Sequence, residues 1–146
     1  MERRTIAIGS DHAAIEMKNF IRDELEFDGY SVKDMGTNTP EAVDYPDIAH
    51  PLAELISKKS ADLGILICGT GIGMSLTANQ HEGVRAAVCR NIETAELARQ
   101  HNDANIICMP GRFIDEKLAY EMVKIFLSTE FEGGRHENRV NKISNF

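Results

Sequence analysis

Cysteine is scarce and poorly spaced for pairing: Cys68, Cys89 and Cys108 form no CxxC and leave one thiol over in any disulfide scheme. Reduced thiols are therefore expected, and with them a cytoplasmic location. No apolar run approaches the ~20 residues that a membrane span needs. The polar opening MERRT, running into a short strand, lacks the build of an export signal. Basic residues are the minority, and 16 Lys and Arg against 23 Asp and Glu leave a net charge of −7. That balance argues against nucleic acid or an anionic membrane surface as a partner. An anionic small molecule must then be held by a local cluster of cations. Internal repeats and low-complexity tracts are missing too, and 146 residues suit one domain, residues 1–146, with a single core.

What the chain does contain is a regular alternation of strand-like and helix-like segments. Residues 5–9 (TIAIG) form a short β-rich run, and residues 13–27 follow with Ile15, Phe20, Ile21 and Leu25 near helical spacing. Residues 30–34 (YSVKD) predict a second, more exposed strand. A long connection, MGTNTPEAVDYP, leads to a helix over residues 47–59. Residues 63–68 are continuously apolar, as in a central parallel strand buried on both faces. A helix begins near Gly71 or Gly73 and ends around residues 80–83. Residues 85–89 and 105–109 predict two more strands, separated by a helix over residues 92–101. The last long helix, residues 115–127, is capped by Asp115. Five strands alternating with helices imply right-handed βαβ units, hence a parallel five-stranded sheet covered on both faces. Residues 133–146 form a distinct tail, in which Gly133 and Gly134 break the chain and Arg135 and Arg139 follow.

Ligands of open parallel sheets bind beyond the carboxyl ends of the strands. That rule selects Asp11 and His12 after the first strand, Cys68 through Gly73 after the third, Cys89 and Arg90 after the fourth, and Arg112 after the fifth. The loop CGTGIG matches neither nucleotide motif: its glycines are spaced GxGxG, and no lysine ends it. Its bare amides could cradle an anion at a helix N-terminus, or an oxyanion formed during reaction; tight strand-to-helix packing is the alternative. Cys68 sits beside those donors, where a helix dipole favours the thiolate, although a cysteine ending a buried strand is commonly an inert small hydrophobe. Cys89 and Cys108 are read in that inert sense. A zinc site built from the cysteines with His12 or His101 is disfavoured by their wide spacing. Arg135 and Arg139 share a face if the tail is helical, either as a phosphate clamp or as a solvated basic surface. His50 and His81 read as surface positions.

Five separated motifs resemble one family in the right order: SDHAA, GTNTPEAVDYPDIA, LICGTGIGMSLTANQ, RQHNDANI and EGGRHENRV. They are similar to the type B ribose-5-phosphate isomerases, whose wider family includes allose-6-phosphate and galactose-6-phosphate isomerases, and the resemblance spans about residues 5–142. It implies a Rossmann-like three-layer α/β/α sandwich and metal-free, cofactor-free interconversion of D-ribose 5-phosphate and D-ribulose 5-phosphate. It also implies homodimers or tetramers in which two subunits share each site. By motif, Cys68 resembles the base that moves a proton between C1 and C2. Met74 stands where another branch of the family places a glutamate, so the chain falls in the cysteine branch. His101 resembles the ring-opening residue, assisted by Asp11, and Thr70 the hydroxyl that relays a proton between O1 and O2. Gly69, Gly71, Ile72 and Gly73 resemble the anion hole, and Tyr45 and Asn102 the sugar contacts. His12, Arg112, Arg135 and Arg139 resemble the phosphate grip. Six-carbon phosphates remain alternative substrates, and a non-catalytic phosphosugar sensor on the same fold is the alternative of a different class.

Overall fold

The computed structural model describes residues 4–146, so part of the opening MERRT lies outside the described residues. Among those residues, five parallel strands form one sheet: β1 (Thr5–Ser10), β2 (Ser31–Asp34), β3 (Leu63–Cys68), β4 (Ala86–Val88) and β5 (Ile106–Pro110). Their order across the sheet is β2-β1-β3-β5-β4. The helices are α1 (Ile15–Phe27), α2 (Tyr45–Ser57), α3 (Ile72–Ala78), α4 (Ile92–Asn102), α5 (Glu116–Ser128) and α6 (Arg135–Ser144), with a 3-10 turn over His12–Ala14 before α1. Among the described residues, no helix is long and apolar enough to cross a membrane.

The period-two alternation of the buried strands sorts the core into two layers. Ile6 and Ile8 of β1, Ile65 and Ile67 of β3, and Ile107 and Met109 of β5 face α1, α4 and α5, against Ile21, Leu25, Ala95, Met122 and Phe126. Ala7, Leu66, Cys68, Ile106 and Cys108 face α2 and α3, against Leu52, Ile56, Met74 and Ala78. All of these side chains are buried. The three-layer α/β/α arrangement expected from the sequence is therefore present. Register pairs Ile8 with Ile65 and Leu66 with Cys108, so the carboxyl ends of β1, β3 and β5 come out at one level.

Most boundaries differ from the sequence reading by one or two residues, and α3 ends earlier than expected, at Ala78. α2 begins at Tyr45 rather than residue 47, because a proline in a helix's first turn removes only an amide that has no helical partner there. The tail is helical over Arg135–Ser144, which places Arg135 and Arg139 on one face. Asp115 caps α5 as expected, its Oδ1 accepting from the Leu118 amide at 2.8 Å.

Candidate active site

β1 and β3 are neighbours, but the chain leaves β1 toward β2 on one side of the sheet and leaves β3 toward β5 and β4 on the other. Loops at such a reversal diverge and open a crevice. Here it is a cleft of about 450 Å³ lined by Asp11, Tyr45, Cys68, Gly69, Thr70, Ile72, Gly73, Leu76 and Arg112. Residues that the sequence scatters over a hundred positions thus meet in one place.

Cys68 ends β3 and is only 7% exposed. Its Sγ accepts a hydrogen bond from the Gly71 amide at 3.2 Å. Gly71 has φ +79°, and a Cβ there would lie 3.2 Å from the Met109 carbonyl carbon. A left-handed turn of bare backbone against β5 is what folds this amide back onto the sulfur. The Ile72 amide donates to Thr70 Oγ1 at 3.2 Å, and Ser75 is the first residue of α3 whose amide reaches a helical carbonyl, that of Gly71. Of the four amides that a helix N-terminus leaves without helical partners, that of Gly73 faces the cleft at the positive end of the helix dipole, whereas Met74 is wholly buried. Within the run Gly69–Gly73 that the sequence singles out, the Gly71 amide serves the sulfur, the Ile72 amide orients Thr70, and Gly69 and Gly73 line the cleft.

The other two thiols behave as inert core groups. Burial pushes Cys89 up to about 11 despite a hydrogen bond with Thr94, and burial pushes the fully enclosed Cys108 well above the ordinary thiol range.

Close contacts explain the remaining glycines of the loop. A Cβ on Gly69 would meet Arg112 Nε at 3.1 Å, and one on Gly73 would meet the Tyr45 ring at 2.6 Å. Arg112 and Tyr45 are thus seated against bare backbone, at Gly69 and Gly73 respectively. Asp11 Oδ1 accepts from the Ala13 and Ala14 amides, each at 3.1 Å, which fixes the carboxylate at the cleft's edge. His12 Nδ1 accepts from the Val43 amide at 3.2 Å, so a neutral ring carries its proton on Nε2. His12 faces an adjoining hollow of about 380 Å³ with Glu16, Asn38 and Pro40.

Sequence reasoning missed what holds the long connection after β2 in place. Lys18 is wholly buried, and its Nζ lies 2.7 Å from Asp34 Oδ2 and 2.7 Å from Asn38 Oδ1. Arg22 donates to Asp34 Oδ2 at 2.8 Å, and the Gly36 amide to Asp34 Oδ1 at 2.9 Å. Burial on its own would raise the Asp34 carboxyl. The hydrogen bonds from Lys18, Gly36 and Arg22 outweigh it and hold the group below its usual range. Leu76, exposed on the cleft's rim, was also missed; on a helix pattern it reads as one more core position.

His101, Asn102, Arg135 and Arg139 do not join this cleft in one chain. α4 runs back along the sheet and ends where β5 begins, so His101 and Asn102 come out near the strands' amino ends. α6 lies there as well, and the ring of its His136 stacks on His101 with centroids 4.3 Å apart and planes 13° from parallel. Burial, with the neighbouring His101 and Arg135, holds His136 below the usual histidine range. Arg135 and Arg139 are exposed, and of the four expected phosphate ligands Arg112 alone lines the cleft.

With this geometry in view, comparison with known proteins is specific. The Ribose/Galactose Isomerase family profile matches residues 6–143. Ribose-5-phosphate isomerase B of Escherichia coli is 41% identical over 141 residues, covering 97% of this chain and 95% of that protein. A crystal structure of a ribose 5-phosphate isomerase from Thermotoga maritima superposes with a TM-score of 0.96 at 50% identity, over 99% of this chain and 100% of that one. The ribose-5-phosphate isomerase B of Mycoplasma genitalium, solved with bound ribulose-5-phosphate, superposes with a TM-score of 0.93 at 44% identity, over 95% of this chain and 93% of that one.

Proposed function

This chain belongs to the ribose/galactose isomerase family, and on that footing we propose that it interconverts D-ribose 5-phosphate and D-ribulose 5-phosphate with Cys68 as the proton-transferring base. The observation that carries this reading is the Cys68 sulfur, held by the Gly71 amide at 3.2 Å in a cleft that Thr70, Gly73 and Arg112 also line.

The chemistry runs as follows. The furanose opens with His101 as general acid and base near neutral pH, and Asp11 assists. The Cys68 thiolate takes the proton from C2, alpha to the aldehyde, and returns it to C1. Between these steps the substrate is an enediolate. Its negative oxygen is stabilised by the cleft-facing amide of Gly73 in the glycine loop, such a donor lowering the barrier by roughly 3 kcal/mol. Thr70, oriented by the Ile72 amide, relays the proton between O1 and O2. The turn that brings Gly73 to the cleft also aims the Gly71 amide at the sulfur.

One chain does not supply the full set, because His101, Asn102, Arg135 and Arg139 lie away from its cleft. A second copy supplies them in this reading, and the assembly is a homodimer or a dimer of dimers with shared sites. Two observations support it. Ile72 and Leu76, one turn apart on α3, line the cleft and are 53% and 64% exposed. Arg112 by itself is also a poor match for a phosphate dianion, which two or more guanidinium groups hold far better. Assay of the purified protein on ribose 5-phosphate and allose 6-phosphate side by side tests the substrate assignment. The expected result is the higher kcat/KM on the pentose; preference for the hexose would overturn it, and tight binding without turnover of either would return the sensor.

A further inference from the structure

Near α4's last turn, three side chains converge that the reaction above uses only in part. His101 Nε2 lies 4.0 Å from Glu132 Oε1, and His136 Nε2 lies 3.5 Å from the same oxygen. A ligand atom from each residue lies within 4.8 Å of the other two. Neither separation is a normal N–H···O hydrogen bond, so a carboxylate and two ring nitrogens approach one point without satisfying one another. Their backbones are fixed nearby. The Glu132 amide donates to the Gln100 carbonyl at 3.1 Å, one residue before His101, and the His136 amide donates to the Gly133 carbonyl at 3.0 Å. The His136 side chain is 90% buried, while His101 and Glu132 are partly exposed and free to adjust.

We propose that His101, Glu132 and His136 form an inhibitory binding site for a divalent transition metal, Zn²⁺ being the best match. Two imidazoles and a carboxylate are a common donor set for zinc, and ligand atoms about 2.1 Å from the metal in a tetrahedron stand roughly 3.4 Å from one another. The pair formed by His136 and Glu132 already has that separation. His101 Nε2, 4.0 Å from the same Glu132 oxygen, reaches it by a small shift of its partly exposed side chain. A hard cation such as Mg²⁺ is a poor match, because it favours an all-oxygen shell. Arg135 and Arg139 on α6 oppose any cation here, which limits the affinity and keeps the metal exchangeable. The inhibitory part rests on the reading of His101 as the ring-opening group: a metal on its Nε2 occupies the lone pair that proton transfer needs.

The test uses the full-length protein freed of metal by chelation, titrated with ZnCl₂ in a calorimeter and with CoCl₂ by visible spectroscopy. Expected are one Zn²⁺ per chain, d–d bands of a nitrogen- and oxygen-bound Co²⁺ without sulfur charge transfer, and isomerase activity that falls as Zn²⁺ saturates. Because loss of even an outer partner of a metal ligand weakens binding 10–100-fold, Glu132→Gln and His136→Asn should each weaken Zn²⁺ binding by roughly tenfold or more. Binding unaffected by both substitutions, or abolished by Cys68→Ser, would overturn the site. Calorimetry reports the metal whether or not the protein turns over a sugar phosphate. Zinc binding without isomerase activity therefore sinks the functional reading and leaves the site standing, whereas activity that saturating Zn²⁺ leaves intact sinks the inhibition.

Discussion

Replacing Gly73 by alanine separates the site's geometry from the protein's stability. The new Cβ would lie 2.6 Å from Cε1 and Cζ of Tyr45 and 3.1 Å from its Cδ1, so the ring must retreat by about 1 Å to reach ordinary carbon–carbon contact. Tyr45 is 43% exposed at the start of α2, so its ring moves into solvent with little resistance from the core. Gly73 is also in the first turn of α3, where alanine is favoured over glycine by up to about 1 kcal/mol. The two effects roughly cancel, and the melting temperature should shift by no more than a few degrees. Catalysis should not escape. A displacement of about 1 Å in a group that positions substrate can cost on the order of 100-fold, so kcat/KM on ribose 5-phosphate should fall by roughly 10–100-fold. Steady-state assay alongside thermal unfolding reads both quantities. Unchanged kcat/KM would refute the placement of Tyr45 against the sugar, and a loss that merely follows the unfolded fraction would refute the separation.

Gly71→Ala should act in the opposite sense, because its φ of +79° and the nearby β5 backbone leave the new methyl group no exit; a loss of about 1–3 kcal/mol in urea unfolding is expected. Leu76→Glu places a charge on the exposed rim of the cleft; sedimentation should show a shift to monomer together with loss of turnover, and an active monomer would contradict site sharing. Iodoacetamide applied to the native protein should label Cys68 well before Cys89, held near 11, or Cys108, held higher still, as peptide mass mapping would show. Asp34→Asn leaves the buried Lys18 ammonium without its carboxylate and should cost about 3 kcal/mol at pH 7. The Asp34 carboxyl titrates lower in the folded chain than its ordinary 3.8. Its stabilisation is therefore complete above that value and is lost as pH falls through the folded one. The gap between wild type and variant should accordingly narrow below about pH 4, whereas a gap constant from pH 7 to pH 3 would contradict the pairing.

The parts of the fold that were legible in the sequence are those that depend on local pattern. A continuous apolar run such as LGILIC, short and followed by glycine, fits a doubly covered strand, and the rule that ligands sit at the carboxyl ends then picks out Asp11, Cys68 and Arg112 without knowledge of any neighbour. Lys18 shows the limit of such reasoning. In a helical pattern it reads as a surface residue, and its burial follows from Asp34 and Asn38, which approach it only once β2 has paired with β1. Direction along the chain matters equally for His101. Motif resemblance assigns it to the site, but α4 carries it to the other end of the sheet, away from the cleft of its own chain, and no periodicity reveals that separation. Glu132 and His136 were hidden for a related reason. They are four residues apart, yet Gly133 and Gly134 stand between them, so a helical count gives no hint that both reach His101.

The most direct measurement of the central claim is hydrogen exchange at the sugar's reacting carbons in D₂O, followed by NMR, with Cys68→Ala beside the wild type. Solvent deuterium should enter the substrate with the native protein. The variant should still bind ribose 5-phosphate, yet lose both exchange and isomerisation by several orders of magnitude. Normal exchange without the sulfur would contradict the assignment of Cys68 as the base.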